Sequence, residues 1–276
     1  GLDFIDYYWL HNVGTASYAV AQRLGAFEFV RKKKEQGKVG HIGFSFHDRA
    51  DLLDRVLMEH PEMEFVQLQL NYLDWEDTNV QARLCYEAAI RHGKQVMVME
   101  PVKGGTLASL PPQAKELLEQ YRPGLSPAGW ALLFAASRKE VAMVLSGMSD
   151  RQQMEENLLV MENQPPLTAR EEQTLLQVAE ILREKIAIPC TACRYCVAGC
   201  PKHIAIPDYF SLYNSLRRFG PEQWGNVSAY YNNLTQTHGG ASDCVGCGAC
   251  EAHCPQHLPI REHLHQVAVA LERDEN

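Results

Sequence analysis

The sequence has no long hydrophobic run, no cluster of basic residues and no basic start followed by an apolar stretch. Its apolar segment at 130–136 is far shorter than the roughly 20 residues that a transmembrane helix needs. With 26 basic and 34 acidic residues, a net charge of −8, it lacks a basic surface for a phosphate backbone. These absences argue against a membrane protein, a secreted protein and a nucleic-acid partner, and they predict a cytoplasmic location.

The chain of 276 residues is 46% hydrophobic and 22% charged, which is typical of a globular protein with a sizeable core. Up to about residue 161, short apolar runs alternate with amphipathic segments, and this pattern predicts strand–helix units around a parallel sheet. The predicted strands are 4–10, 41–46, 64–70, 95–100 and 141–145. The predicted helices are 18–36, 49–59, 79–92, 127–138, 150–161 and 168–185, with start signals at Asp48 or Asp77, Ser126 and the Thr168/Glu171 pair.

Cysteine is concentrated after residue 189. Cys85 stands alone and is predicted to be a small buried hydrophobic residue. The other eight cysteines form two copies of one motif, CxxCxxCxxxCP, beginning at Cys190 and at Cys244. The composition changes at the same point, so we expect one domain at 1–188 and a second at 189–276.

This cysteine spacing is typical of bacterial ferredoxins with two [4Fe–4S] clusters, in which the fourth cysteine of each motif ligates the other cluster. We therefore predict one cluster on Cys190, Cys193, Cys196 and Cys254, and a second on Cys200, Cys244, Cys247 and Cys250. Structural zinc and disulfides are the alternatives. Zinc usually takes paired CxxC knuckles with a long spacer, and disulfide frameworks belong to small secreted proteins, so both are less favoured.

Polar residues end three of the predicted strands. His11 follows the first strand, Ser45 lies near the end of the second, and Gln67, Gln69 and Asn71 share one face of the third. In parallel barrels the reactive groups lie at the carboxyl ends of strands, and buried amides need partners that a ligand could supply. A solvated histidine and a helix-capping serine are the simpler alternatives.

Five segments in this order resemble the second half of an aldo/keto reductase: IDYYWLHNV, GKVGHIGFSFHD, FVQLQLNYLD, VMVMEPVKGGTLA and VLSGMSDRQQMEENL. Together with the cysteine motifs, the whole chain is similar to aldo/keto reductases that carry a C-terminal ferredoxin-type domain. The resemblance implies an α/β fold, a (β/α)8 TIM barrel that binds NADP or NAD and exchanges hydride with a small carbonyl or alcohol substrate.

The resemblance also implies roles for individual residues. His11 matches the active-site histidine, Ser45 and Gln67 match positions that bind the nicotinamide carboxamide, and Gly104 and Gly105 match the turn under the pyrophosphate. The positions that match the adenosine end are Gly147, Gln153, Glu156 and Asn157.

Three residues depart from the family pattern: Phe46 replaces a common asparagine, Met99 a common aromatic residue, and Gln153 a common arginine. Arg151 could replace that arginine or lie solvated on its helix. The choice between NADP and NAD therefore stays open.

Only five of the eight barrel strands are present, so the resemblance is to the C-terminal five units followed by a small, mostly helical domain. We expect a fragment lacking about 90 to 100 residues, among them the family's catalytic aspartate, tyrosine and lysine. Tyr7 and Tyr8 are interpreted as packing residues. We expect the chain alone to be inactive and to expose two unpaired strand edges.

The predicted function is that of a reductase fused to an electron-transfer module that serves a protein partner. One alternative is a non-catalytic electron-transfer protein in which the barrel is a docking scaffold. A second alternative keeps the reductase and makes the clusters structural.

Overall fold

The computed structural model describes residues 3–77, 80–219 and 224–272. The chain divides into two compact units, Gly1–Val178 and Ala179–Asn276. The division falls inside a helix, upstream of the boundary predicted at residue 188. Among the described helices, none has both the length and the apolar character needed to cross a membrane.

The first unit contains a parallel sheet of five strands in sequence order, and all five predicted strands are confirmed. Phe44, Val66 and Val98 are fully buried on one face of the sheet. Among the described residues, the first and last strands pair on one side only. The strands are β1 (Ile5–Val13), β2 (Val39–Phe46), β3 (Phe65–Gln69), β4 (Gln95–Met99) and β5 (Val141–Val144).

Helices connect and follow these strands. They are α1 (Thr15–Arg23), α2 (Ala26–Glu35), α3 (Ala50–Glu59), α4 (Ala82–Arg91), α5 (Pro112–Glu119), α6 (Pro127–Ala136), α7 (Arg151–Asn163) and α8 (Ala169–Lys185), the last of which crosses the division. The prediction of one helix at 18–36 is wrong, because Gly25 has a left-handed φ of 68° and separates α1 from α2. The sequence analysis also missed α5.

Two of the predicted helix starts are confirmed. Ser126 Oγ accepts the N–H of Gly129 at the start of α6, and Thr168 forms a capping box with Glu171. The prediction that Asp48 caps α3 is wrong, because its Oδ2 accepts the N–H of Thr15 at the start of α1.

Asp77 does not cap α4 directly. Its Oδ1 accepts the N–H of Val80, whereas the N-cap of α4 is Gln81. The predicted helix start at residue 79 lies outside the described residues.

The second unit is helical around a core that includes Ile204, Phe210 and Leu264. Its cysteine repeat is also a repeat of backbone conformation. Ala192, Arg194 and His203 have left-handed φ values, and the equivalent Gly246, Gly248 and His257 have them too. Each motif therefore folds into the same loop and short helix. The helices are α9 (Tyr195–Ala198), α10 (Ile206–Phe219), α11 (Trp224–Thr235), α12 (Ala249–Ala252) and α13 (Ile260–Leu271).

A largely buried ion pair fixes the start of α8. Glu171 accepts hydrogen bonds from Arg122 Nε at 2.6 Å and from Nη2 at 2.9 Å, and its side chain is 8% exposed. The hydrogen bonds from Arg122 lower the pKa of Glu171 from 4.5 to about 2. Folding therefore favours the ionised carboxylate.

We expect Glu171→Gln to lower the free energy of unfolding by about 2 kcal/mol at neutral pH. Because the folded-state pKa is depressed, this stabilisation is present above about pH 4.5 and is lost as the pH falls toward 2. The difference between wild type and variant, measured by denaturant unfolding, should shrink between about pH 5 and pH 3. Glu155→Gln, which removes an exposed pair with Arg151, is the control and should cost less than about 0.5 kcal/mol. An equal difference in unfolding free energy between wild type and Glu171→Gln at pH 5 and at pH 3 would contradict the lowered pKa of Glu171.

Candidate functional site

The structure brings Ser45 and Gln67 together. They are direct register partners on the parallel strands β2 and β3, with Ser45 one residue before the end of β2 and Gln67 in the middle of β3. Ser45 is buried, and its Oγ accepts the N–H of Asn12 at 2.7 Å. Gln67 Oε1 is buried and has no hydrogen-bond partner among the described residues. A buried carbonyl oxygen without a donor is rare in proteins, so this atom is suited to accept from a ligand.

His11 lies on β1, the neighbour of β2, and its side chain is exposed. The pairing of β1 with β2 is irregular between Leu10 and Val13, and Asn12 there has a left-handed φ of 57°. His11 therefore lies in a bulge at the carboxyl end of the strand. Such a bulge redirects a side chain relative to the regular strand.

The other polar residues after β3 form a buried network with partners inside the protein. Gln69 Nε2 and Asn71 Nδ2 each donate to Asp74 Oδ2 at 2.7 Å, and Lys103 Nζ donates to Asp74 Oδ1 at 2.5 Å. Asp74 and Lys103 are 2% and 1% exposed. The interpretation that a ligand supplies the partners of these amides is therefore wrong for Gln69, and the sequence analysis missed both Asp74 and Lys103.

The loop after β4 carries a run of left-handed residues. Glu100, Lys103, Gly104 and Gly105 have φ values of 53°, 48°, 58° and 90°. Gly104 and Gly105 are exposed, whereas Lys103 is buried and belongs to the network around Asp74. Successive amides in such turns can form a concave surface for an anion.

The fourth group of predicted site residues lies around the start of α7. Asp150 caps this helix, because its Oδ1 accepts the N–H of Gln153 at 2.9 Å. Gln153 Oε1 accepts the N–H of Ser149, and Asn157 Nδ2 donates to Ser146 Oγ. These bonds hold the loop after β5 against the helix.

Three further residues of this segment do not take part in the hydrogen bonds described above between the loop and α7. Gly147 is exposed with open space around its Cα, and Glu156 is half-buried. Arg151 is paired with Glu155 at 2.6 Å on the surface, which agrees with the interpretation that it is a solvated helix residue.

The second unit brings the eight motif cysteines together in two sets. One cavity is lined by Cys190, Cys193, Cys196 and Cys254, and another by Cys200, Cys244, Cys247 and Cys250. Each set thus takes three cysteines from one motif and the fourth from the other.

The donor set in each cavity fits an iron–sulfur cluster. All nine cysteines are described and free, so the motifs form no disulfides. Within residues 3–77, 80–219 and 224–272, no group of three or more His, Cys, Asp or Glu side chains is placed to hold a single metal ion. Four thiols around a cavity suit a group of several atoms, with one thiolate for each iron.

Burial keeps several of these thiols protonated in the protein alone. It raises the pKa of Cys196 to about 12, and the neighbouring Cys190, Cys193 and Cys254 add to the shift. It raises the pKa of Cys250 to about 11. Cluster binding must therefore displace protons from the thiols. The N–H of Ala192 already donates to Cys190 Sγ at 3.4 Å.

Cys85 lies outside both sets, in α4. It is 4% exposed, and burial raises its pKa to about 12. The prediction that Cys85 is a small buried residue is confirmed.

Two family models match different parts of the chain. The Aldo/keto reductase family model matches residues 1–180, and the 4Fe-4S dicluster domain model matches residues 189–258. The comparison with curated proteins yielded no match.

Two solved structures similar to this chain are the aldo-keto reductase AKR11C1 from Bacillus halodurans in its holo form and a thermostable aldo-keto reductase, Tm1743, in complex with the inhibitor epalrestat. The first is 24% identical with a TM-score of 0.50, over 64% of this chain and 61% of that one. The second is 21% identical with a TM-score of 0.50, over 64% and 60%. This chain therefore spans about 60% of the length of these relatives, and at such identities the likeness establishes the fold alone.

The predicted fold class is confirmed, with a parallel α/β sheet of five strands followed by a helical C-terminal region. The family model covers well over half of the sequence. The chain belongs to the aldo/keto reductase family, and it carries a C-terminal region that matches a 4Fe–4S dicluster domain.

Proposed function

We propose that the complete protein transfers hydride between a nicotinamide dinucleotide, NADP or NAD, and a small carbonyl or alcohol substrate. We further propose that two [4Fe–4S] clusters in the same chain exchange electrons with a protein partner. The observation that carries the hydride part is the register pair of Ser45 and Gln67 on adjacent parallel strands, with Gln67 Oε1 lacking a donor among the described residues.

The bound nicotinamide supplies the hydride for carbonyl reduction or accepts it from an alcohol. Gln67 Oε1 accepts a hydrogen bond from the carboxamide NH2 of the cofactor, and Ser45 lies beside it to fix the ring. His11 donates a hydrogen bond to the substrate oxygen and orients the carbonyl for attack. Reduction would place the hydride on the carbonyl carbon and a proton from the family's catalytic tyrosine on the oxygen, and the product would be the alcohol.

The remaining cofactor contacts are assigned by position. Gly104 and Gly105 are exposed. Because they have no side chains, their backbone amides can approach the pyrophosphate. Gly147, Gln153, Glu156 and Asn157 surround the adenosine end near the start of α7. The domain limits that belong to this proposal are 1–188 for the reductase and 189–276 for the cluster domain.

The electron-transfer part is supported by the exposure of one cysteine set. Cys247 is exposed, and its neighbour Val245 is 60% exposed. A cluster on Cys200, Cys244, Cys247 and Cys250 would thus be close to solvent, where a protein partner can reach it. Free thiols committed to clusters also favour a reducing compartment such as the cytoplasm.

The test of this function is cofactor binding and turnover by the full-length protein after anaerobic purification. Titration with NADPH and NADH should show saturable binding, and the bound cofactor should be oxidised when small aldehydes are added. His11→Ala should lower turnover by about 10²-fold or more while it preserves cofactor affinity. A protein with full clusters that binds neither cofactor would replace this proposal with the docking-scaffold alternative.

Gln67→Leu separates binding from stability. We expect about a tenfold loss of nicotinamide affinity, because the carboxamide NH2 loses its acceptor. The free energy of unfolding should stay the same or rise slightly, because a buried oxygen without a partner is removed. The measurements are fluorescence titration and denaturant unfolding of the same preparations. Unchanged affinity would contradict the assigned contact.

A further inference from the structure

Thr191 lies in the first cysteine motif, and the proposed function gives it no role. It directly follows Cys190, it is 7% exposed, and it lines the cavity of Cys190, Cys193, Cys196 and Cys254. Its hydroxyl oxygen is buried and has no hydrogen-bond partner among the described residues. A buried hydroxyl without a partner is destabilising, so its presence in this cavity requires an explanation.

The second motif has no such hydroxyl. The residue that follows Cys244 is Val245, which has nearly the same shape as threonine, and it is 60% exposed. The two motifs share their cysteine spacing and their left-handed backbone positions. At this position the first motif has a buried hydroxyl donor, whereas the second motif has an exposed side chain without a donor.

Because this hydroxyl has no partner among the described residues, the cavity that Thr191 lines is the place where a bound group can supply one. The polar groups that border this cavity are mainly thiols, and sulfur in an iron–sulfur cluster carries negative charge and accepts hydrogen bonds. The sulfur becomes more negative when the cluster gains an electron. A donor aimed at it therefore stabilises the reduced form more than the oxidised form.

We propose that the Thr191 hydroxyl donates a hydrogen bond to a sulfur of the cluster held by Cys190, Cys193, Cys196 and Cys254, and that it thereby raises the reduction potential of this cluster. The cluster on the other set has no equivalent donor at Val245. This inference rests on the proposed function, since it requires that both clusters are present.

The test is a redox titration of the full-length protein, followed by electron paramagnetic resonance. Thr191→Val keeps the shape and removes the donor. One of the two midpoint potentials should become more negative, and at a fixed potential the reduced-to-oxidised ratio of that cluster should fall about tenfold, which is 59 mV for one electron. The other midpoint should not move.

Two matched variants complete the experiment. Thr191→Ser restores a hydroxyl and should return the potential toward the wild-type value, which a merely structural role of the methyl group would not do. Val245→Thr places a hydroxyl at the equivalent position of the second motif, which also lines the cavity of its cluster but is 60% exposed. Because water competes for this hydroxyl, the second potential should shift less than the first potential shifts in Thr191→Val.

Iron analysis distinguishes the absence of the clusters from the absence of a role for Thr191. A wild-type protein that binds no iron would remove the proposed clusters themselves. Full iron content with no shift in Thr191→Val, or an equal shift of both clusters, would overturn the role of Thr191 alone. If Thr191→Val lost iron, the comparison of Thr191→Ala with Thr191→Ser would decide the question.

Discussion

Replacing Cys190, Cys193 and Cys196 together with alanine should leave the protein with about half of its iron. Adding Cys254→Ala to this triple variant should cause no further loss of iron. The reason is that Cys254 lines the cavity of these three cysteines and not the cavity of its own motif. Its pKa is raised by burial and also by Cys193, which agrees with this placement. Cys254 therefore has no cluster left to hold once the three are gone.

Cys200→Ala on the same triple background should have the opposite result. Cys200 lines the cavity of Cys244, Cys247 and Cys250. Its loss should remove or degrade the remaining cluster, and the iron content should fall from about four per chain toward zero. The two quadruple variants differ only in which fourth cysteine is missing.

Iron and sulfide analysis after anaerobic reconstitution measures both results. Cys85→Ala is the control, since Cys85 is buried in α4 outside both sets, and it should leave the iron content unchanged. If Cys254→Ala emptied the triple variant and Cys200→Ala did not, each motif would hold its own cluster. Stoichiometric zinc in place of iron would restore the zinc alternative.

The cysteine motifs could be predicted from the sequence because their spacing is local and repeats. The exchange of the fourth cysteine between the motifs was predicted from the general ferredoxin pattern. The five strands could be predicted equally well, since each is a short apolar run between turns. Gly25 escaped prediction because the residues on both sides of it favour helix, and only its left-handed φ separates α1 from α2. Local sequence patterns therefore predict helices and strands better than they predict the boundaries between them.

The buried network at the candidate site was not predictable in this way. Asp74 and Lys103 are 29 residues apart in sequence, and each alone has the pattern of an ordinary surface residue. Their contact depends on the adjacent placement of β3 and β4, whose register pairs Gln69 with Met99. The sequence could suggest that Gln69 needed a partner, but only the fold identifies Asp74 as that partner.

This network leads to the second large effect that we expect. Lys103→Met should lower the free energy of unfolding by about 3 to 5 kcal/mol, because it leaves the carboxylate of Asp74 buried without its cation. Asp74→Asn should have a similar cost, because it leaves the ammonium group of Lys103 buried. Denaturant unfolding of the full-length protein measures both. Single losses below about 1 kcal/mol would contradict the burial of this pair.

The double variant Asp74→Asn/Lys103→Met should be more stable than either single variant, since no unpaired charge remains. Glu171→Gln, which breaks a different ion pair of the same unit, provides a destabilised control. Because Lys103 precedes Gly104 in a left-handed conformation, loss of the ion pair should also loosen the proposed pyrophosphate turn. The double variant should then bind the dinucleotide more weakly than the Glu171→Gln control, while affinity for nicotinamide riboside, which lacks the pyrophosphate, should stay the same. Equal losses for both ligands would mean that the pair stabilises the fold without shaping the turn.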